Sequence, residues 1–190
     1  MKYRTILLFG APGAGKGTQG KILGMIPNFY HCACGDVFRN LGAETELGRI
    51  FLEYSSRGEL VPDETTVRLW RQNIKSASRF VPERDTLILD GIPRNHDQAE
   101  MLKDTLEVQA IFYFTCADMN KLVARLQRRA LHDNRLDDAN LEVIRRRLDT
   151  YESETKPVLE YYGTPMVHTI DATQTPVNVL RDILRVLAKI

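Results

Sequence analysis

The stretch Thr5-Ile6-Leu7-Leu8-Phe9-Gly10-Ala11-Pro12-Gly13-Ala14-Gly15-Lys16-Gly17-Thr18 decides the fold. Its first five residues are a short, β-suited run that stops at Gly10. A glycine-rich loop follows, and Lys21-Ile22-Leu23 then opens a helical pattern, so the order is strand, loop, helix. Gly10 to Lys16 satisfies GxxxxGK in that setting, which lifts it above a chance match and above a Gly-rich turn with an exposed lysine. Glycines at 10, 13, 15 and 17 let backbone N–H groups turn inward around phosphate oxygens. The helix N-terminus adds positive potential and Lys16 adds a point charge.

Outward from this unit, four more apolar runs suit strands: Tyr30 to Cys34, Thr86 to Leu89, Ala110 to Thr115 and Met166 to Ile170. Helical patterns separate them. One begins at Asp63 with acidic residues in its first turn, and another at Thr175-Pro176 as N-cap and N1. Such alternation predicts a three-layer α/β fold, a five-stranded parallel sheet with helices on both faces and ligands at the carboxyl ends of the strands. Two stretches look peripheral, Asp36 to about Arg79, too long for one crossover, and the polar turn Leu131 to Asp138.

The chain has 190 residues, 43% apolar and 27% charged, which suits one domain (1–190) with a sizeable core. Its 26 Lys and Arg against 25 Asp and Glu give a net charge of +1, short of a nucleic-acid binder's footprint, so any basic patch is local. No run resembles a signal peptide or a membrane span. With three cysteines, an odd number, the expectation is a soluble protein of the reducing cytoplasm. Cys32, Cys34 and Cys116 read as ordinary strand residues, and a CxC pair alone offers too few ligands for structural zinc.

One detail departs from the general loop. Gly17 follows Lys16 and Thr18 comes one place late, so the hydroxyl that ordinarily ligates Mg²⁺ there is missing. Magnesium would be held by phosphate oxygens and waters, with Asp90 first and Asp36 second as outer-shell carboxylates reached through water. A GTPase is excluded because Asn120-Lys121-Leu122-Val123 lacks the Asp of NKxD, and no LSGGQ-type signature is present.

Further motifs carry a resemblance: HxxxGDxxR at His31 to Arg39, GELVPDE at Gly58 to Glu64 and DGIPRNHDQ at Asp90 to Gln98. RLQRR at Arg125 to Arg129, NRLDD at Asn134 to Asp138, RRRLDTY at Arg145 to Tyr151 and Lys156-Pro157 continue it. Together with GAPGAGKGTQ they cover most of the chain, which resembles the nucleoside monophosphate kinases, the adenylate kinase branch most closely. The resemblance implies a P-loop nucleoside triphosphate hydrolase-like fold with a monophosphate-binding lobe at about 33–61 and a short lid at about 128–138, free of the zinc found in some long-lidded relatives. It implies reversible, Mg²⁺-dependent transfer of the terminal phosphoryl group of ATP to AMP, giving two ADP, by a monomer with no nucleic-acid or membrane partner.

Matched position by position, Gly13, Ala14, Gly15, Lys16, Gly17, Thr18, Arg125, Arg129 and Gln174 fall on the ATP side, with Arg125 against the donor base. Cys34, Arg39, Glu59, Leu60, Val61, Gly91, Ile92, Pro93, Arg94, Gln98, Arg135 and Arg147 fall on the AMP side. Arg39 and Arg94 would grip the acceptor's α-phosphate, and Arg129, Arg135 and Arg147 would close over the phosphates of both nucleotides. The catalytic set is Lys16, Arg94, Arg129, Arg135 and Arg147, whereas Arg128, Arg145 and Arg146 read as a solvated helix face. No protein nucleophile or general base is called for.

Acceptor identity leaves an alternative. Gln98 stands where adenylate kinases read adenine, and a carboxamide both accepts and donates. Asn95 after Arg94 is a feature of UMP/CMP kinases, however, and Cys34 replaces the usual Thr of adenylate kinases or Ala of the pyrimidine enzymes. Ile92 stands where an aromatic is usual. A non-catalytic P-loop switch or assembly subunit would not need the full arginine set, and an RNA-binding role for Arg125 to Arg147 is weakened by the neutral charge balance.

Overall fold

A computed structural model describes residues 1–133, 135, 138 and 140–190. The glycine-rich unit folds as expected: β1 (Tyr3–Gly10) runs into the loop, and α1 (Lys16–Leu23) leaves it. β2 (Phe29–Ala33) leads into α2 (Cys34–Arg39), α3 (Glu46–Arg57) and α4 (Asp63–Ser76). After β3 (Thr86–Asp90) come α5 (His96–Leu102), β4 (Leu106–Thr115), α6 (Met119–Asp133) and α7 (Leu141–Thr150). A π-helical turn (Tyr151–Thr155), α8 (Val158–Tyr162), a 3-10 turn (Thr164–Met166), β5 (Val167–Asp171) and α9 (Pro176–Leu187) complete the chain.

The five strands lie in the order β2-β3-β1-β4-β5 and every pair is parallel. β1 is therefore central, and its period-2 side chains feed two cores: Leu7 and Phe9 pack on one face, Ile6 and Leu8 on the other. Its C-terminal end delivers the loop to the top of the sheet, beside Asp90 at the end of β3 (Leu8 is in register with Asp90). β4 is longer than its apolar run suggests, because Leu106 and Val108 alternate with exposed Glu107 and Gln109, and the register with β1 shifts between Thr5 and Ile6.

Three expectations need correction. The segment Asp36 to Arg79 is not peripheral throughout: α4 places Val67, Trp70 and Ile74 at i, i+3 and i+7 against the core, and Trp70 is fully buried. A buried side chain of that kind contributes about 1.5–3 kcal/mol or more, so α4 is part of the main layers. Second, Cys34 starts α2 and Cys116 follows β4, so only Cys32 is a strand residue, although all three are free thiols. Third, the run to Cys34 ends in a strand at Ala33, and β3 and β5 extend one residue further, to Asp90 and Asp171. α9 begins as expected, with the Thr175 side chain accepting from Asn178 N. Of the stretch 128–138, α6 accounts for residues to Asp133, and Asn134, Leu136 and Asp137 lie outside the described residues.

Candidate active site

The loop between β1 and α1 is shaped by left-handed glycines. Gly13 (φ +83°) lies against α6, where a Cβ would come within 2.9 Å of Leu122 O. Gly15 (φ +95°) has open space where a Cβ would stand, so the loop offers a bare backbone hollow at the start of α1. Lys16 Nζ donates to Gly10 O at 2.6 Å and to Ala11 O at 3.2 Å, which folds its ammonium over the hollow. Burial pushes the Lys16 ammonium down to about 8; Asp90 opposes that, and Arg94, Arg129 and Arg147 add to it. Four cations therefore crowd one place, an arrangement that calls for an anion.

Arginines complete the wall. Arg129 Nε donates to Asp138 Oδ2 at 2.6 Å, and Arg147 Nη1 donates to Asp138 Oδ1. Asp138 is fully buried, so one carboxylate orients two guanidinium groups from α6 and α7. Arg129 Nη2 is buried without a hydrogen-bond partner among the described residues, as a donor awaiting a ligand would be. Arg39 Nη2 bonds Asp36 Oδ1 at 2.6 Å, and Arg135 Nη2 stands 3.5 Å from the same oxygen. Burial would raise the Asp36 carboxyl, but Arg39, Arg135 and Lys21 together hold it below its ordinary value. Further along, Arg125 Nη1 donates to Ala172 O at 2.9 Å, while Gln174 Nε2 bonds Asp182 Oδ2 at 2.9 Å.

These groups open on one cleft of about 670 Å³, within the range of small-molecule sites. It runs from the loop and the Ala172–Val179 side across the arginines to a second recess between α2, α3 and α5, with Phe38, Val61 and Gln98 on its wall. Among the described residues, nine Lys and Arg side chains line it against four Asp and Glu. In a chain of net charge +1 that excess is the local basic patch expected of a site for polyanions.

A family model described as adenylate kinase matches residues 8–167. Adenylate kinases of Parabacteroides distasonis (38% identical) and Thermobifida fusca (39%) align over 83% of this chain and 83% of their own. An adenylate kinase of Streptomyces coelicolor is 31% identical over 97% of this chain and 98% of its own. The chain belongs to the adenylate kinase family.

Seen as a member of that family, the chain brings nearly all of its candidate site residues to one cleft. Gly13, Ala14, Gly15, Lys16, Gly17, Thr18, Arg125, Arg129 and Gln174 line it on the loop side. Cys34, Arg39, Glu59, Leu60, Val61, Gly91, Pro93, Arg94 and Gln98 line the far side, and Asp36, Asp90, Arg135 and Arg147 lie between. Ile92 is the exception: 1% exposed, it packs into the core and is off the cleft wall. Arg145 and Arg146 are exposed and off the cleft wall, as expected, whereas Arg128 is exposed yet reaches the wall.

Asn95 is also off the wall. Its Oδ1 caps α5 by accepting from Gln98 N at 2.8 Å, and its Nδ2 donates to Asp63, so it is a brace and does not face a base. Cys34 is buried against Arg94, and burial pushes its thiol up to about 11, which keeps it neutral. Sequence reasoning missed Phe38 and Thr66 in the recess, and Asp138 and Asp63 behind it. Asp138 stands inside the NRLDD motif and could have been read as an arginine partner; nothing in sequence spacing joins Asp63 to Gln98. Among the described residues, no helix is long and apolar enough to cross a membrane.

Proposed function

We propose that this protein catalyses reversible transfer of the γ-phosphoryl group of ATP to AMP, giving two ADP, as a cytoplasmic monomer. The observation that carries this reading is one cleft lined by the phosphate loop, by a belt of arginines and, beyond them, by Phe38, Val61 and Gln98. A nucleotide-binding switch needs only the first half. The acceptor phosphate oxygen attacks the γ-phosphorus in line, a P–O bond forms as the β,γ bridge breaks, and ADP leaves from each side. Catalysis is then positioning and charge stabilisation, with no protein nucleophile.

In this reading Lys16 meets the β- and γ-phosphates, and Arg129, Arg135 and Arg147 gather the transferring group. Arg94 and Arg39 hold the α-phosphate of AMP. Arg125 and Gln174 flank the donor base, and Gln98 meets the acceptor adenine in a recess bounded by Cys34 and the Glu59-Leu60-Val61 backbone. Asp138 keeps two of the arginines in place before substrate arrives, so little reorganisation remains for the reaction.

Magnesium fits this donor set. A Cβ on Gly17, where a loop hydroxyl would start, would lie 3.6 Å from Asp90 Oδ2, so a carboxylate stands beside the missing hydroxyl. Asp90 would hold the ion through water, while Asp36 is engaged by two guanidinium groups. When bound, the ion supplies neutralisation of the β- and γ-oxygens. The three free thiols suit a reducing cytoplasm.

A coupled assay of ADP formation from ATP with AMP, UMP or CMP tests the reading. AMP is the best acceptor if it holds; no transfer to any monophosphate returns the protein to the class of switches.

A further inference from the structure

Gln98 is 1% exposed yet stands on the wall of the acceptor recess, and both ends of its carboxamide are already engaged. Its Oε1 accepts from Arg94 N at 2.8 Å, and its Nε2 donates to Asp63 Oδ1 at 2.7 Å. The partners of the carboxamide decide its orientation. A backbone N–H can only donate, and an ionised carboxylate can only accept. Turning the amide over would set N–H against N–H and carbonyl against carboxylate, a loss that a side chain 1% exposed does not recover.

Asp63 is itself held. Asn95 Nδ2 donates to Asp63 Oδ1 at 2.9 Å and to Oδ2 at 3.1 Å, and Asn95 Oδ1 is fixed by Gln98 N. Asp63 also sits in the first turn of α4, where negative charge is favoured. A carboxamide has two acceptor lobes and two N–H bonds, so one of each remains for a ligand, in a fixed order.

We infer that Asp63 is a specificity-determining positioning residue: with Arg94 N–H it locks Gln98 so that the acceptor site takes bases with an exocyclic amine beside a bare ring nitrogen and rejects bases with a carbonyl beside a ring N–H. Adenine and cytosine have the first edge, hypoxanthine and uracil the second. An unlocked glutamine would turn over and serve both kinds. The inference rests on the reading of Gln98 as the group that meets the acceptor base.

Two size-matched pairs isolate the edge: AMP against IMP, and CMP against UMP, assayed as kcat/KM at saturating ATP. The wild type should prefer AMP over IMP by roughly 100-fold or more, and CMP over UMP by roughly tenfold, as sites with oriented polar groups do. Wild-type use of IMP equal to AMP, together with UMP equal to CMP, overturns the lock without any variant. Asp63→Ala should narrow the AMP to IMP ratio by about tenfold, chiefly because IMP use rises, since freeing one hydrogen-bonded partner is worth about that. A merely structural role for Asp63 would lower all four acceptors alike and leave both ratios where they were, and that result overturns the inference. Gln98→Leu separates the two layers of the argument. If it leaves the AMP to IMP ratio intact, Gln98 does not read the base and the underlying reading fails. If it collapses the ratio while Asp63→Ala does not, the reading stands and the lock is wrong.

Discussion

Around Lys16 the cleft wall is backbone, glycines in left-handed conformation with open space above Gly15 and a lysine folded over two carbonyls. Around Gln98 it is side chain braced by side chain, with a carboxamide held by a carboxylate that a second carboxamide holds in turn. Between them lies the arginine belt, oriented by Asp138. A backbone cradle recognises phosphate whatever base is attached, because phosphates are common to every nucleotide. A braced side chain recognises a pattern of donors and acceptors. The donor half should therefore fail in rate and the acceptor half in selectivity.

The largest effect should come from Lys16→Met. Its charge acts on phosphates and not on the core, so transfer should fall by roughly 1,000-fold or more while the melting temperature stays close to that of the wild type. A variant that unfolds, or that keeps most of its activity, would show that the loop is structural. Next comes Asp138→Ala, which removes the buried anchor of Arg129 and Arg147. A decrease in kcat of about 100-fold with a smaller change in the KM for AMP is expected, as for loss of an oriented group that stabilises developing charge. If kcat and KM moved together by only a few-fold, the belt would not depend on that carboxylate.

The same contrast explains what could be read in the sequence. The phosphate loop is contiguous, so glycine spacing, the preceding apolar strand and the following helix identify it within fourteen residues. The arginines proposed to serve phosphates could be placed by resemblance, and the structure gathers them in one cleft. What escaped is what depends on folding at a distance. Asp63 lies 35 residues before Gln98 and looks like an ordinary acidic first-turn residue, which it also is. Asn95 carries a chemistry that suits a base, but capping α5 and bracing Asp63 uses both ends of it. The burial of α4 was hidden by its polar first turn and by the length of the segment that contains it, although Val67, Trp70 and Ile74 already sat at helical spacing.

On the acceptor side, Arg94→Ala should weaken AMP by about tenfold to a hundredfold and ATP much less, the loss of a charged hydrogen-bond donor being worth roughly 1.5–3 kcal/mol. Arg39→Ala should act in the same direction but more weakly. Arg39 already shares its charge with Asp36 at 2.6 Å, whereas burial holds the Arg94 guanidinium below its ordinary value and leaves it with more to gain from an anion. Titrations of each variant with ATP and with AMP decide the matter, and equal losses for the two nucleotides would remove both arginines from the monophosphate site.

The smallest effect is a pH dependence confined to the donor half. Lys16 is pushed down to about 8 because it is buried and neighboured by Arg94, Arg129 and Arg147, with Asp90 in opposition. A bound phosphate reverses that balance by adding negative charge, so the ammonium form is favoured in the complex. The free protein thus loses the Lys16 proton near pH 8 while the complex keeps it, and binding takes up a proton above that point. ATP affinity should fall as pH rises, by roughly fourfold between pH 7 and 8.5 for a group titrating near 8. Calorimetry in two buffers of different ionisation enthalpy would report the proton uptake directly. Lys16→Arg supplies the control, since a guanidinium stays charged throughout this range and its ATP affinity should be flat. An equally steep decline in Lys16→Arg would assign the titration to another group, and a flat wild type would mean that Lys16 keeps its proton in the empty cleft.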